Sequence, residues 1–224
     1  MSTLSVPIPA SPTRPETLED LLDRLGNVPL NRIRMNPPPG LATERDVVEI
    51  EARENRLCEL VDATLVEKTV GLPESFLAIY LARLLGAFVD ERNLGLVTGP
   101  DGTLRLFPGM VRIPDVAFIS WGRVPGGRVP KEPIPDVVPD LAVEVLSAGN
   151  TPAEMSRKRK EYFEAGVRLV WLVDAQSRTV TVYTAPTSAI ILDQDKVIDG
   201  GDVLPGFTLA VHQLFAQLDR QANA

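Results

Sequence analysis

The sequence predicts a mixed α/β (α+β) protein built on a central sheet. Helical and strand patterns follow one another as helices, several strands, a helix and further strands, the order of a mixed fold. The run Leu141–Leu146, LAVEVL, has no polar face apart from Glu144, as expected of a strand covered on both sides. Of the 224 residues 44% are hydrophobic and only 5% aromatic, enough for one globular domain with an aliphatic core.

Residues 1–15 are rich in Pro, Ser and Thr and are expected to be mobile. ETLEDLLDRLG places Leu18, Leu21, Leu22 and Leu25 at helical spacing, with Gly26 as a stop. NPPPG breaks the chain, and TERDVVEIEAREN opens a helix with Thr43 and Asp46 spaced as a capping box. RLCELVDATLVEK alternates on both sides of Asp62-Ala63 and reads as a hairpin. PESFLAIYLARLLGAFVDERN is the strongest helix, with Phe76, Ile79, Tyr80, Leu84 and Ala87 as its apolar stripe and Arg83 interrupting it. Strands follow at LGLVTG, TLRLF and VRIPDVAFIS, then a Gly/Pro-rich loop from Trp121 to Pro139. Strand 141–146, helix 152–165 and strands RLVWLVD and TVTVYT come next. AIILDQDKVIDGGDVL is expected to form a last hairpin before a C-terminal helix.

Composition excludes several chemistries. No apolar run approaches about 18 residues, so no membrane span is expected. The N-terminus lacks the basic and apolar regions of a secretory signal. Cys58 is the single cysteine, which rules out an intrachain disulfide or a cysteine-built zinc site and makes a reducing cytoplasm the default. The single histidine, His212, lies in LAVHQLFAQL, far from other polar clusters, and reads as structural or superficial. Without a G-x-S-x-G, H-E-x-x-H or P-loop motif, carboxylates and lysines must carry any catalysis. The net charge of −7 argues against a broad nucleic-acid-coating surface but leaves room for a local basic cleft.

Two carboxylates stand in apolar strands: Glu144, and Asp115 just inside RIPDVAFIS. A buried carboxylate is costly unless compensated, and two side by side repel unless a cation lies between them. A divalent ion with oxygen ligands, Mg²⁺ or Mn²⁺, answers both problems; pairing of each acid with an arginine or a turn is the alternative. In TPAEMSRKRKEYFEAGV, Thr151 and Glu154 form a capping box with Pro152 at the first helical position. Glu154, Lys158 and Tyr162 share one helical face, whereas Arg157, Arg159 and Lys160 lie around the rest. That face looks toward the sheet, so Lys158 can reach the carboxylates. Tyr162 on it reads as a packing residue.

RLCELVDATLVE, VRIPDVAFIS, PDLAVEVLS, RKRKEYFEAGVRLVWLVD, TVTVYT and GGDVLPGFTL, in this order and at these spacings over roughly residues 42–220, resemble the Uma2 (DUF820) family of the PD-(D/E)xK restriction-endonuclease-like superfamily. The resemblance implies a restriction-endonuclease-like core, a central mixed sheet flanked by helices, in residues 42–224, with residues 1–41 an N-terminal extension, partly mobile, holding one short helix. It also implies a Mg²⁺-type site and phosphodiester hydrolysis. The Pro-Asp pair is Pro114-Asp115, and the E-x-K glutamate is Glu144. The lysine place of that motif is Leu146, a departure, and the lysine that matches its migrated position is Lys158. The early glutamate is Glu59, and Ala63 stands where glycine is frequent in an ELIDG-like turn.

On that resemblance Asp115, Glu144 and the Val145 carbonyl hold the metal, Lys158 stabilises or orients, and Glu59 supports a second metal or the attacking water. A Mg²⁺-dependent endonuclease is the first reading. A non-cleaving nucleic-acid-binding or regulatory protein on the same scaffold is the alternative, favoured by the acidic charge and few aromatics. Nucleic acid, DNA first, is the expected partner, with no membrane, and a homodimer if both strands of a duplex are cut. Arg123, Arg128 and Lys131 in GRVPGGRVPKEP read as a solvated loop before a phosphate contact. The first 38 residues are expected to be dispensable for the site.

Overall fold

The computed structural model describes residues 15–69 and 71–221. The expected mobile N-terminus falls largely on residues 1–14, outside the described residues. Helix α1 (Leu18–Leu25) is closed by Gly26 in the left-handed conformation. A side chain there would meet the backbone of Ala153 and Glu154 at 2.6–2.8 Å, so glycine also permits the chain to pass close by. Helix α2 (Glu44–Glu54) starts at the Thr43/Asp46 capping box. Strands β1 (Cys58–Val61) and β2 (Thr64–Glu67) form the expected hairpin, with Asp62 and Ala63 at φ 48° and 51°.

Helix α3 (Leu72–Glu91) then leads to β3 (Gly95–Thr98), β4 (Leu104–Phe107), β5 (Met110–Arg112) and β6 (Val116–Ser120). Next come β7 (Leu141–Leu146), α4 (Pro152–Ala165), β8 (Leu169–Asp174), β9 (Thr179–Ala185), β10 (Ser188–Leu192), β11 (Val197–Asp199), β12 (Thr208–Ala210) and α5 (Val211–Phe215).

The main sheet has the order β10-β9-β8-β7-β6-β3; β7 and β8 are parallel and the other neighbours antiparallel. The parallel pair is joined through α4, as a parallel connection requires a crossover. Both faces of β7 are covered. Val143 and Val145 join Leu77, Leu81 and Trp171 in the largest core, between the sheet and α3. Ala142 faces the other way, with Met155, Tyr162 and Val170. A smaller antiparallel sheet, β2-β1-β5-β4, and a β11-β12 ribbon complete the fold.

Three expectations are corrected. VRIPDVAFIS is two strands, because Pro114 has no N–H for a ladder and the chain passes there from the smaller sheet to the larger. Asp115 therefore stands at the junction, one residue before β6. The last hairpin is divided: β10 pairs with β9 across the short turn at residues 186–187, and β11 pairs with β12. On α3 the buried face is Leu77, Leu81, Leu85 and Val89, while Phe76 and Ile79 are 40% and 54% exposed. This helix is apolar on nearly every side, and by length and composition alone could cross a membrane; periodicity could not choose its inner face. Within the expected N-terminal extension, residues 21–33 are bound to the body of the fold. Leu21, Leu25, Val28 and Ile33 pack on Val61 and Val66, and buried Arg32 forms a two-pronged pair with Glu154 at 2.8 and 2.9 Å.

Candidate active site

The main-sheet strand β7 outlasts β6, whose pairing with it ends at Val116↔Val143. Asp115 fills the space beyond. Its N–H donates to the Val143 carbonyl at 3.0 Å, and its Oδ2 accepts from the Val145 N–H at 2.7 Å. Glu144 projects from the middle of β7 toward α4. The stripe on α4 meets it there: Lys158 Nζ lies 3.2 Å from both Glu144 oxygens, and Tyr162 donates its hydroxyl to Oε1 at 2.5 Å. From β1, Glu59 reaches the same lysine, with Oε1 3.0 Å from Nζ. Asp115, Glu144, Glu59 and Lys158 are thus brought together from a sheet junction, two strands and a helix. The Val145 backbone adjoins Asp115.

The surroundings extend the cluster. Arg112 donates to Glu59 at 2.7 Å and also pairs with Glu161 of α4. The Ile113 N–H donates to Glu59 Oε1 at 3.1 Å. Lys68, just past β2, lies 2.9 Å from Asp115 Oδ1. Lys68, Arg112 and Glu161 escaped the reading of the sequence. For Lys68 a signal existed: strand alternation and the Glu59↔Val66 register put it on the face of β2 that Glu59 occupies on β1. Tyr162 packs, as expected, but its hydroxyl also belongs to the cluster.

Electrostatics separates the two buried glutamates. Burial opposes ionisation of Glu59, but Lys158 and Arg112 outweigh it and hold its carboxyl below the usual range. Burial pushes Glu144 up; Lys158 opposes this, while Asp115 and Glu59 reinforce it, and the net direction is upward. Burial also works against the Lys158 charge, yet Glu144 and Glu59 overcome it and raise its pKa. Burial and the adjacent Glu144 keep the Tyr162 phenol protonated.

The donor set is oxygen-only. Among the described residues no group of three or more His, Cys, Asp or Glu could hold a metal. A cation here would rest on two carboxylates, backbone carbonyl and water, the sparse protein coordination that suits Mg²⁺. The other candidates lie elsewhere. Arg123 is held by Asp140 at 3.0 Å and by the Gly166 carbonyl at 2.7 Å. Arg128 and Lys131 line a separate groove with Glu44 and Arg105. His212 is exposed on α5.

A family model described as "Putative restriction endonuclease", Uma2, matches residues 45–212. Among solved structures, a protein from Anabaena variabilis ATCC 29413, titled a "putative nuclease belonging to DUF820", superposes with a TM-score of 0.65 at 18% identity. The match covers 72% of this chain and 91% of that one, and at this identity it bears on the fold. No curated protein matches the chain. The matched span runs from α2 to α5 and contains Glu59, Asp115, Glu144 and Lys158, and the chain belongs to the Uma2 family.

Proposed function

We propose that this protein is a Mg²⁺- or Mn²⁺-dependent endonuclease acting on DNA, with its site at Asp115, Glu144, Lys158 and Glu59. The convergence of these four residues at the end of β7 that extends beyond β6 carries the reading. Asp115, Glu144 and the Val145 carbonyl would hold the ion. When bound, the ion supplies a lowered pKa for water and charge neutralisation at phosphate. Lys158, whose Nζ contacts two oxygens of Glu144 and one of Glu59 in the metal-free protein, would stabilise the negative charge that develops on the phosphate through its field, and directly only where the ion takes over Glu144. Glu59 keeps that ammonium charged and aimed, and as an ionised carboxylate it can orient the attacking water. Hydrolysis of both strands of a duplex calls for two copies related by a two-fold axis.

One observation favours a second reading, a non-cleaving nucleic-acid-binding or regulatory protein. Lys158 is 3% exposed and engaged by both glutamates, so it can also serve as a purely internal counter-ion. A cleavage assay on supercoiled plasmid, single-stranded DNA and RNA separates the two. The nuclease reading expects cutting in Mn²⁺ or Mg²⁺ that EDTA stops and Asp115→Asn abolishes. Binding to any of these substrates without cutting in either metal favours the second reading.

A further inference from the structure

Lys68 is a second buried ammonium beside the candidate metal ligands. Its backbone N–H donates to the Leu57 carbonyl at 2.9 Å, extending the β1-β2 ladder by one residue. Its Nζ is held by three oxygens from two other segments: the Ile113 carbonyl at 2.6 Å, the Pro100 carbonyl at 3.0 Å and Asp115 Oδ1 at 2.9 Å. An ammonium has three N–H donors, so none is left for a substrate. Asp115 has one oxygen on Lys68 and the other on the Val145 N–H, and each oxygen keeps a lone pair free.

We propose that Lys68 is a positioning residue, the built-in counter-ion of Asp115, which holds that carboxylate oriented in the metal-free protein and weakens the binding of a divalent cation there. The inference rests on Asp115 being a metal ligand. Two effects oppose each other when the lysine charge is removed. Asp115 loses one restraint, which lowers metal affinity. A like charge beside the same carboxylate disappears, which raises it. The first effect is backed up: the Val145 N–H still holds Oδ2, the Asp115 N–H still donates to Val143, and Ile113 remains tied to Glu59. The second acts between groups whose side chains are only 6% and 14% exposed, where solvent and salt screen little. Relief of repulsion therefore dominates.

The test is calorimetric titration of the full chain with Mn²⁺, alongside melting curves in EDTA and in Mn²⁺. Lys68→Met removes the charge. Lys68→Gln removes it but keeps a donor for the two carbonyls, and so serves where the methionine variant folds poorly. Both neutral variants are expected to melt lower than the parent in EDTA and to bind Mn²⁺ about tenfold more tightly or better. Lys68→Arg should bind as the parent does, and adding Asp115→Ala to Lys68→Gln should abolish the gain. A merely structural lysine would lower the melting temperature without raising affinity. Equal or weaker binding by the neutral variants, with Mn²⁺ still bound by the parent, overturns the role of Lys68 and leaves the metal reading standing. No Mn²⁺ binding by any of the proteins overturns the metal reading and this inference with it.

Discussion

The Tyr162 hydroxyl donates to Glu144 Oε1 at 2.5 Å, while Lys158, one turn earlier on α4, contacts both oxygens of the same carboxylate. One helical face thus supplies a neutral donor and a cation to one buried acid. Tyr162→Phe removes the donor with little change in shape. A hydrogen bond to a charged group contributes about 1.5–3 kcal/mol, and a loss of that size is expected in urea unfolding, with the slope unchanged. A loss below a few tenths of a kcal/mol would show that water replaces the phenol.

Lys158→Met leaves Tyr162 on Glu144 and Arg112 on Glu59 but strips away the cation they share. Breaking a buried pair on one side costs about 3–5 kcal/mol. Instability is therefore expected in EDTA, with partial recovery in Mn²⁺. Cleavage per folded molecule should fall by about 10²-fold or more, the scale for one preorganised donor. Arg159→Ala is the control, since Arg159 stacks on Tyr183 at 4.4 Å outside the cluster. Equal activity losses in the two variants would remove Lys158 from catalysis.

The cluster was legible where a local rule placed each residue. Glu144 is conspicuous because a carboxylate interrupts an apolar strand, and Lys158 because i, i+4 spacing ties it to a capping residue and a tyrosine. Both predicted capping boxes formed for the same reason, since each is closed within four residues. Arg112 was hidden because its partners lie on other segments, and for Lys68 the hairpin register gave its face but not its partner Asp115, since no spacing along the chain reports a sheet-to-sheet junction. The inner face of α3 was hidden by an excess of apolar positions. The docking of residues 21–33 was hidden because Arg32, one of two arginines in LNRIRM, gives no sign that Glu154 will bury it.

Arg32 leads to a prediction about the stability of the fold. Its guanidinium donates to Glu154 and to the carbonyls of Glu67 and Gly149, at 2.8 and 2.9 Å for the carbonyls. Glu154 begins the turn that precedes Lys158. Arg32→Ala leaves Glu154 buried without its cation, and a loss of about 3–5 kcal/mol is expected. Deleting residues 1–38 should destabilise at least as much, because Leu21, Leu25, Val28 and Ile33 leave with it. A truncated chain that melts like the full one would show that the segment adds nothing to the fold.

Cys58 is buried in the smaller sheet, and burial pushes its thiol up to about 11. The reactive thiolate is therefore scarce at neutral pH, and access is closed. Alkylation by iodoacetamide is expected only at the rate of unfolding, rising with urea along the unfolding curve. Rapid labelling of the native chain would contradict this burial.

Glu59 fixes the sign of one contribution to acid stability. Its folded pKa lies below its unfolded value because Lys158 and Arg112 outweigh burial. A depressed carboxylate contributes stability that is fully present above the unfolded pKa, about 4.3 for glutamate, and is lost as the pH falls through the folded value. Glu59→Gln removes this contribution at neutral pH and also the acid-side loss that goes with it. The parent should exceed the variant by the largest margin near pH 7 and keep most of that margin near about pH 5, then converge toward it at about pH 3 and below. Urea midpoints in EDTA at these pH values measure the margin without metal. A margin independent of pH would mean that packing, and not the charge of Glu59, sets its worth to the fold.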